Sequence, residues 1–224
     1  MITGDKIKCR TIFMSDYHLG SHNCQAKRLY NFLSSYDAER IYLIGDIIEF
    51  SNRSKWPAYH NDILRILSEK SLAGCKIVFI PGNHDSIFRQ HVGQYGNLRI
   101  LKYAYHKQLD GSNLLVTHGD ETDLLKIDFL LWCIIKLESL LKIHLWEIVR
   151  TYFPRWILVH TNRFEKKILA LALTHGVQGV VCGHVHLPKV KHEDGFVYLN
   201  TGDWVQHCTA IIEDCSGTFS LVKG

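Results

Sequence analysis

Five short segments of this chain bring together residue types that bind metal ions. They are Asp16-Tyr17-His18, Gly45-Asp46, Gly82-Asn83-His84-Asp85, His118-Gly119 and Gly183-His184-Val185-His186. Imidazole nitrogen with carboxylate or amide oxygen suits divalent manganese, iron, zinc, nickel or cobalt, and no thiolate stands among them to demand a softer ion. A carboxylate has two oxygens and can bridge two ions, which a single imidazole cannot do. Asp46 is the natural bridge, with the DxH and GHxH segments serving one ion and Asn83 and His118 the other. Two ions about 3.5–4 Å apart clamp phosphoryl oxygens and lower the pKa of a shared water toward neutrality. Any one segment alone reads as a histidine or aspartate capping a strand. The set of five points to hydrolysis at phosphorus.

Each segment follows a short apolar run: Thr11–Met14, Ile41–Ile44, Ile77–Ile80, Leu114–Thr117 and Val180–Cys182. Runs this short, ended by turn residues, read as buried strands whose loops converge at a shared sheet edge. Gly45, Gly82, Gly119 and Gly183 let the chain turn where a Cβ would crowd a ligand. Helical spacing links Leu29, Phe32, Leu33 and Tyr36, and again Tyr59, Ile63, Ile66 and Leu67, with Gly74 as a stop. A long helical stretch over about 122–175 is divided by Pro154 and ended by Gly176. Strands return at Phe196–Leu199, Cys208–Glu213 and Thr218–Val222. This order predicts an α/β layered sandwich with helices outside.

With 224 residues, 46% of them hydrophobic, the chain has material for one sizeable core, so a single domain over 1–224 is expected. A net charge of +4 suits an anionic substrate or membrane surface but is too small to argue for nucleic acid, and none is expected as a partner. The 7 cysteines are scattered with no CxxC pair, which reads as reduced thiols and excludes a cysteine zinc site. No signal-peptide core follows the first basic residues. The most apolar stretch, 124–149, is broken by Lys126, Lys136, Glu138, Lys142, His144 and Glu147, too often for a membrane span. A cytoplasmic location is expected.

In this order, the segments DxH, GD, GNHD, HG and GHxH resemble the pattern of the calcineurin-like metallophosphoesterases, from Asp16 to beyond His186. The resemblance implies a four-layer α-β-β-α sandwich carrying the long helical stretch as an insertion. It also implies that Asp16, His18 and His186 hold one metal, that Asn83, His118 and His184 hold the other, and that Asp46 bridges them. Manganese is the first expectation for the ions. His84 would contact the phosphoryl oxygen or protonate the leaving group, with Asp85 orienting it.

Within that superfamily, SDYHLGS, HGDETD at 118–123, the insertion before GHVH and GDW at 202–204 look like the UDP-2,3-diacylglucosamine diphosphatase group. That group implies cleavage of a UDP-linked diacyl sugar to UMP and a lipid sugar phosphate, at the inner face of a bacterial inner membrane. In residues 127–149 Lys136, Ser139 and Glu147 share one helical side with the following Arg150, and most of the remaining surface is apolar, more than a core-facing stripe needs. Such a surface must be covered by protein, a partner, acyl chains or a bilayer interface. Asp123, Asn162, Arg163 and Lys166 are candidate contacts to nucleotide, sugar or diphosphate. Trp204 is a core residue or a pocket wall, Tyr17 packs beneath the site, and His22, His60, His175 and His207 are expected at surfaces or helix ends. A soluble nucleotide phosphodiesterase or nuclease is the alternative. A non-catalytic scaffold on the same fold disagrees with the complete ligand set.

Overall fold

The computed structural model describes residues 6–50, 56–122, 154–193 and 195–224, with backbone only for 154–160. The first strands follow the apolar runs: β1 (Ile7–Met14), β2 (Tyr36–Ile44) and β3 (Lys76–Ile80). Helices α1 (Ala26–Ser35) and α2 (Ala58–Leu72) connect them. β4 (Gly93–Tyr95) and β5 (Leu98–Ile100) then pair antiparallel, and β6 (Ala104–Lys107) leads to β7 (Asn113–Val116). After α3 (Pro154–Thr174) come β8 (Gly179–Cys182), β9 (Lys189–Glu193), β10 (Phe196–Asn200), β11 (Thr209–Glu213) and β12 (Phe219–Lys223).

These strands form two mixed sheets, ordered β12-β11-β1-β2-β3-β5-β4 and β6-β7-β8-β10-β9. Three apolar layers hold the structure together. Leu29, Phe32 and Leu33 of α1 and Ile63, Ile66 and Leu67 of α2 pack on one face of the first sheet. Phe13, Tyr42, Ile44, Val78 and Ile80 on its other face meet Leu114, Val116, Val181 and Leu199 of the second sheet. Phe164, Ile168 and Ala172 of α3 cover the far side of that sheet through Leu115, Val180 and Tyr198. Strands buried on both faces must read as unbroken apolar runs, which is how β1, β2 and β3 end. The result is the four-layer α-β-β-α order.

Several local expectations need correction. Tyr36 does not extend α1; it opens β2, opposite Ile7. Tyr59 is 53% exposed, and its neighbour His60 takes the inner face of α2. His60 is therefore not a surface residue: its Nδ1 accepts the Gly20 N–H at 2.8 Å. The β4–β5 hairpin and β6 carry no apolar run long enough to register as strands. Pro154 opens α3 and Gly176, with φ 71°, follows its end, while 123–153 lies outside the described residues. Cys9, Cys24, Cys75, Cys182 and Cys208 are buried free thiols, and burial pushes Cys9, Cys24 and Cys182 up to about 12.

Candidate metal centre

β1, β2, β3, β7 and β8 release their ligand segments at one edge of the sandwich. The pairing of β1 with β2 continues past both strands, through Asp16 N–H to Gly45 O at 3.0 Å and His18 N–H to Asp46 O at 2.9 Å. This sets the DxH and GD segments side by side. Across the second sheet, Gly183 N–H donates to His118 O at 3.2 Å.

The backbone at these turns is unusual. Asp16, His18, Asp46, His184 and His186 all have positive φ, between 49° and 70°. Among the described residues Cys208 is the only other non-glycine residue to do so. Each such conformation costs on the order of 1–3 kcal/mol and persists only where the surroundings enforce it. Gly82 and Gly183 show the crowding: a Cβ on the first would overlap the Asp46 carboxylate and His118 ring, and on the second the Ser15 and Asp16 side chains.

The side chains form two groups, Asp16 with His18 and His186, and Asp46 with His118 and His184; within each, one ligand atom per residue lies within 4.8 Å of the others. A third group, His18 with Asp46 and His84, overlaps both and sets Asp46 between them. Asn83 joins the second group, its Oδ1 lying 3.3 Å from His118 Nε2. Asp16 Oδ1 and His18 Nε2 are buried without a hydrogen bond, although His186 Nε2 stands 3.0 Å from that oxygen. Nitrogen and oxygen donors converging this way fit two borderline divalent cations.

The other atoms of these candidate ligands are tied down. His118 Nδ1 lies 2.9 Å from Ile44 O, Asp16 Oδ2 accepts from Ser15 Oγ and His184 N–H, and Asp46 Oδ1 accepts the His84 N–H at 2.8 Å. Such outer contacts fix the tautomer and orientation of a ligand. Electrostatics are steep here. Burial pulls the His118 imidazole down, but Asp46 beside it wins and pushes it up to about 10. Likewise burial opposes and Asp16 outweighs it for His186, which rises to about 9. Burial works against both carboxylates, yet the facing imidazoles hold Asp16 and Asp46 below the usual range.

Glu49 was not singled out in the sequence. Its Oε2 lies 2.6 Å from His84 Nδ1 and 3.3 Å from His18 Nδ1, linking a ligand to the loop histidine. The hydrogen bond to Glu49, against some desolvation, raises the His84 pKa. Asp85, expected to orient His84, touches its loop and not its ring. Asp85 is buried and its carboxylate accepts from the N–H groups of Gly82, Ile47 and Ile48, so it shapes the loop, while Glu49 is the carboxylate on the His84 ring. The only sequence signal for Glu49 is its place three residues after Asp46. Asp203 was also missed: it accepts from the Val205, Gln206 and His207 N–H groups, pairs with the His207 ring at 2.5 Å, and sits 3.9 Å from His186 Nδ1. Arg89 fixes the GNHD loop to the segment after His118 through two bonds to Asp120, at 2.7 and 2.8 Å.

Tyr17 is buried beneath the site with its hydroxyl on Met14 Sδ, and Trp204 is wholly core, its ring against Tyr17 and Phe32. Asn162, Arg163 and Lys166 are exposed on α3, which meets the site through Phe164 instead, its ring 6.0 Å from that of His184. Asp123 lies outside the described residues. His22 is exposed, and His175 shares a hydrogen bond with the Tyr105 hydroxyl.

Residues 9–188 match the family model for calcineurin-like phosphoesterases. The chain is 25% identical over 225 residues to the UDP-2,3-diacylglucosamine hydrolase of Neisseria gonorrhoeae, covering 89% of this chain and 92% of that one. It is 24% identical over 233 residues to the protein of the same name from Edwardsiella ictaluri, covering 92% and 89%. Among solved structures, Vacuolar Protein Sorting 29 from Cryptosporidium parvum superposes with a TM-score of 0.50 over 95% of this chain and 94% of that one, at 10% identity, a likeness of fold alone. The family match spans all five ligand segments, and the chain belongs to the calcineurin-like phosphoesterases as a metal-dependent phosphoesterase.

Proposed function

We propose that this enzyme hydrolyses the diphosphate of a UDP-linked diacylglucosamine, releasing UMP and a lipid sugar phosphate. The observation that carries the reaction is the pair of ligand groups with Asp46 between them. In this reading Asp16, His18 and His186 would hold one divalent ion and Asn83, His118 and His184 the other, Asp46 would serve both, and manganese would be the working ion. Such a pair of ions supplies a hydroxide-like nucleophile and neutralises phosphoryl charge. Glu49 is bonded at Nδ1 of His84, and Nε2, 3.9 Å from Asp46 Oδ2, is directed to the centre, where it would face the phosphoryl group and donate a proton to the departing oxygen.

The diacyl substrate draws support from the relatives' names and from an apolar rim. Phe50 and Ile87 are 54% and 59% exposed, and the Phe50 ring lies 5.9 Å from that of Phe88, in the same turn as Ile87. Phe50 follows Glu49 and Ile87 is three residues past His84, so this surface borders the centre and suits an acyl chain. A substrate with two acyl chains resides in a bilayer, which would set the enzyme at the inner face of a bacterial membrane. No helix among the described residues is long and apolar enough to cross one, and the apolar 127–149 stretch lies outside them. Asn162, Arg163 and Lys166 remain the candidates for diphosphate or nucleotide contacts.

The test is turnover with manganese of UDP-diacylglucosamine, a plain nucleotide sugar and a chromogenic phosphodiester. Preferred cleavage of the first, with UMP as product and stimulation by detergent, is expected. If the lipid substrate is untouched while the phosphodiester is cleaved, the diacyl assignment fails and the family chemistry stands.

A further inference from the structure

A cavity of about 660 Å³ opens away from the metal centre, on the half of the first sheet where β2 and β3 begin. Its lining includes Arg40, Lys76, Arg99 and Lys107, with Tyr103 and Tyr105 as exposed rings, and no carboxylate among the described residues. Arg40 is six residues before Asp46, which at strand rise is about 20 Å from the ligands.

Register puts the cations together. Arg40 is the direct neighbour of Lys76 across the β2–β3 pair, and Arg99 is opposite Val78, two residues further along the same face. Neighbouring strands lie about 4.8 Å apart, and like charges on adjacent positions destabilise a sheet. Nearby Glu213 cannot relieve them, because Arg10 and His106 already engage it. The Arg40 guanidinium is held over the Tyr42 ring, 5.9 Å from its centroid, which presents a planar fork of donors. A recess of this size is that of a small-molecule site. Four cations on its walls call for several negative charges on one short ligand.

We propose that this cavity binds a soluble polyphosphate anion, either inorganic or the phosphate chain of a nucleotide, at a site separate from the metal centre. The phosphates would sit against Arg40, Lys76 and Arg99, and the tyrosine rings offer a surface on which a base can stack.

The test is calorimetric titration of the full chain with tripolyphosphate and with ATP, once loaded with manganese and once after chelation. Binding that survives chelation is expected, because the cavity uses side-chain cations and not metal. Lys76→Glu with Arg99→Glu should weaken it about tenfold or more, and raised salt should weaken it too, while manganese-dependent turnover of the chromogenic phosphodiester stays within about twofold. Lys107→Gln, on the edge strand β6, gives the same reading with a smaller loss should the double variant fold poorly. Tighter binding of ATP, lost in Tyr103→Ala, would assign the ligand to nucleotides; equal affinity would assign it to inorganic polyphosphate. Binding lost on chelation, or unchanged in variants of unaltered melting temperature, overturns the proposal. So does sedimentation with phosphatidylglycerol vesicles in the absence of any tripolyphosphate binding.

Discussion

Among the described residues two buried pairs of carboxylate and imidazole occur, Asp46 with His118 at 3.4 Å and Glu213 with His106 at 3.0 Å. All four side chains are at most 3% exposed. Around each, a buried ring nitrogen is left without a hydrogen bond: His18 Nε2 at the first, His106 Nδ1 at the second. Unpaired buried atoms alone therefore do not mark a metal site. The surroundings differ instead. Glu213 and His106 sit on regular strands between the sheets, ringed by Phe13, Tyr42 and Phe219, with Arg10 as a second partner. Asp46 and His118 stand at strand ends, among residues of positive φ, with His84 and His186 about a third exposed. One pair is enclosed and holds the sheets; the other opens outward and can exchange a partner for an ion.

The comparison breaks most sharply at Asp46. Asp46→Ala should bring turnover down to background and cut metal content measured by emission spectroscopy, with a melting temperature close to that of the metal-free parent. A variant that keeps its activity would remove Asp46 from the bridge. His84→Ala should retain the metal and slow turnover about 10²–10⁴-fold, as expected for loss of a proton donor. Loss of metal with it would make His84 a ligand.

At the enclosed pair the effect should fall on stability. Glu213→Gln breaks a buried ion pair, worth about 3–5 kcal/mol in denaturant unfolding, while specific activity of the folded fraction holds. Burial raises the Glu213 pKa, but His106 and Arg10 hold it below the ordinary value. A depressed carboxylate stabilises above its unfolded pKa and ceases to do so as pH falls through the folded one. The stability gap between parent and Glu213→Gln should thus be full at neutral pH and close at acid pH below about 4. A gap that widens on acidification would show that the carboxylate is not ionised in the fold. The smallest effect is expected at Glu49: Glu49→Gln should cost about 10–100-fold in kcat with metal content retained. A larger loss than that of His84→Ala would mean that Glu49 acts through His18 as well.

The open pair was legible in the sequence and the enclosed one was not. Asp, Asn and His at strand ends suit divalent ions, so five apolar runs with five polar endings delineate the candidate centre and the five strands that carry it. His106 and Glu213 are far apart in sequence, each in a strand with no residue pattern that requires the other. Glu49 was hidden for a related reason: only the fold of the Asp46 turn brings it under His84, and Asp85, adjacent in sequence, seemed the nearer partner. Tyr36 misled because its spacing suits a helix while its hydrogen bonds are made with β1. Strands of three residues, such as β4 and β5, are too short for any periodicity to show.

The left-handed backbone at the ligand positions bears on how knock-outs should be chosen. Aspartate and histidine are among the few side chains that both donate to a cation and enter that region with modest strain. Identity at these places thus serves two purposes, and alanine removes the donor while leaving an ill-suited conformer behind. Glycine removes the donor and relaxes the conformer. His18→Gly set beside His18→Ala would therefore separate the shape of the loop from the atom it presents.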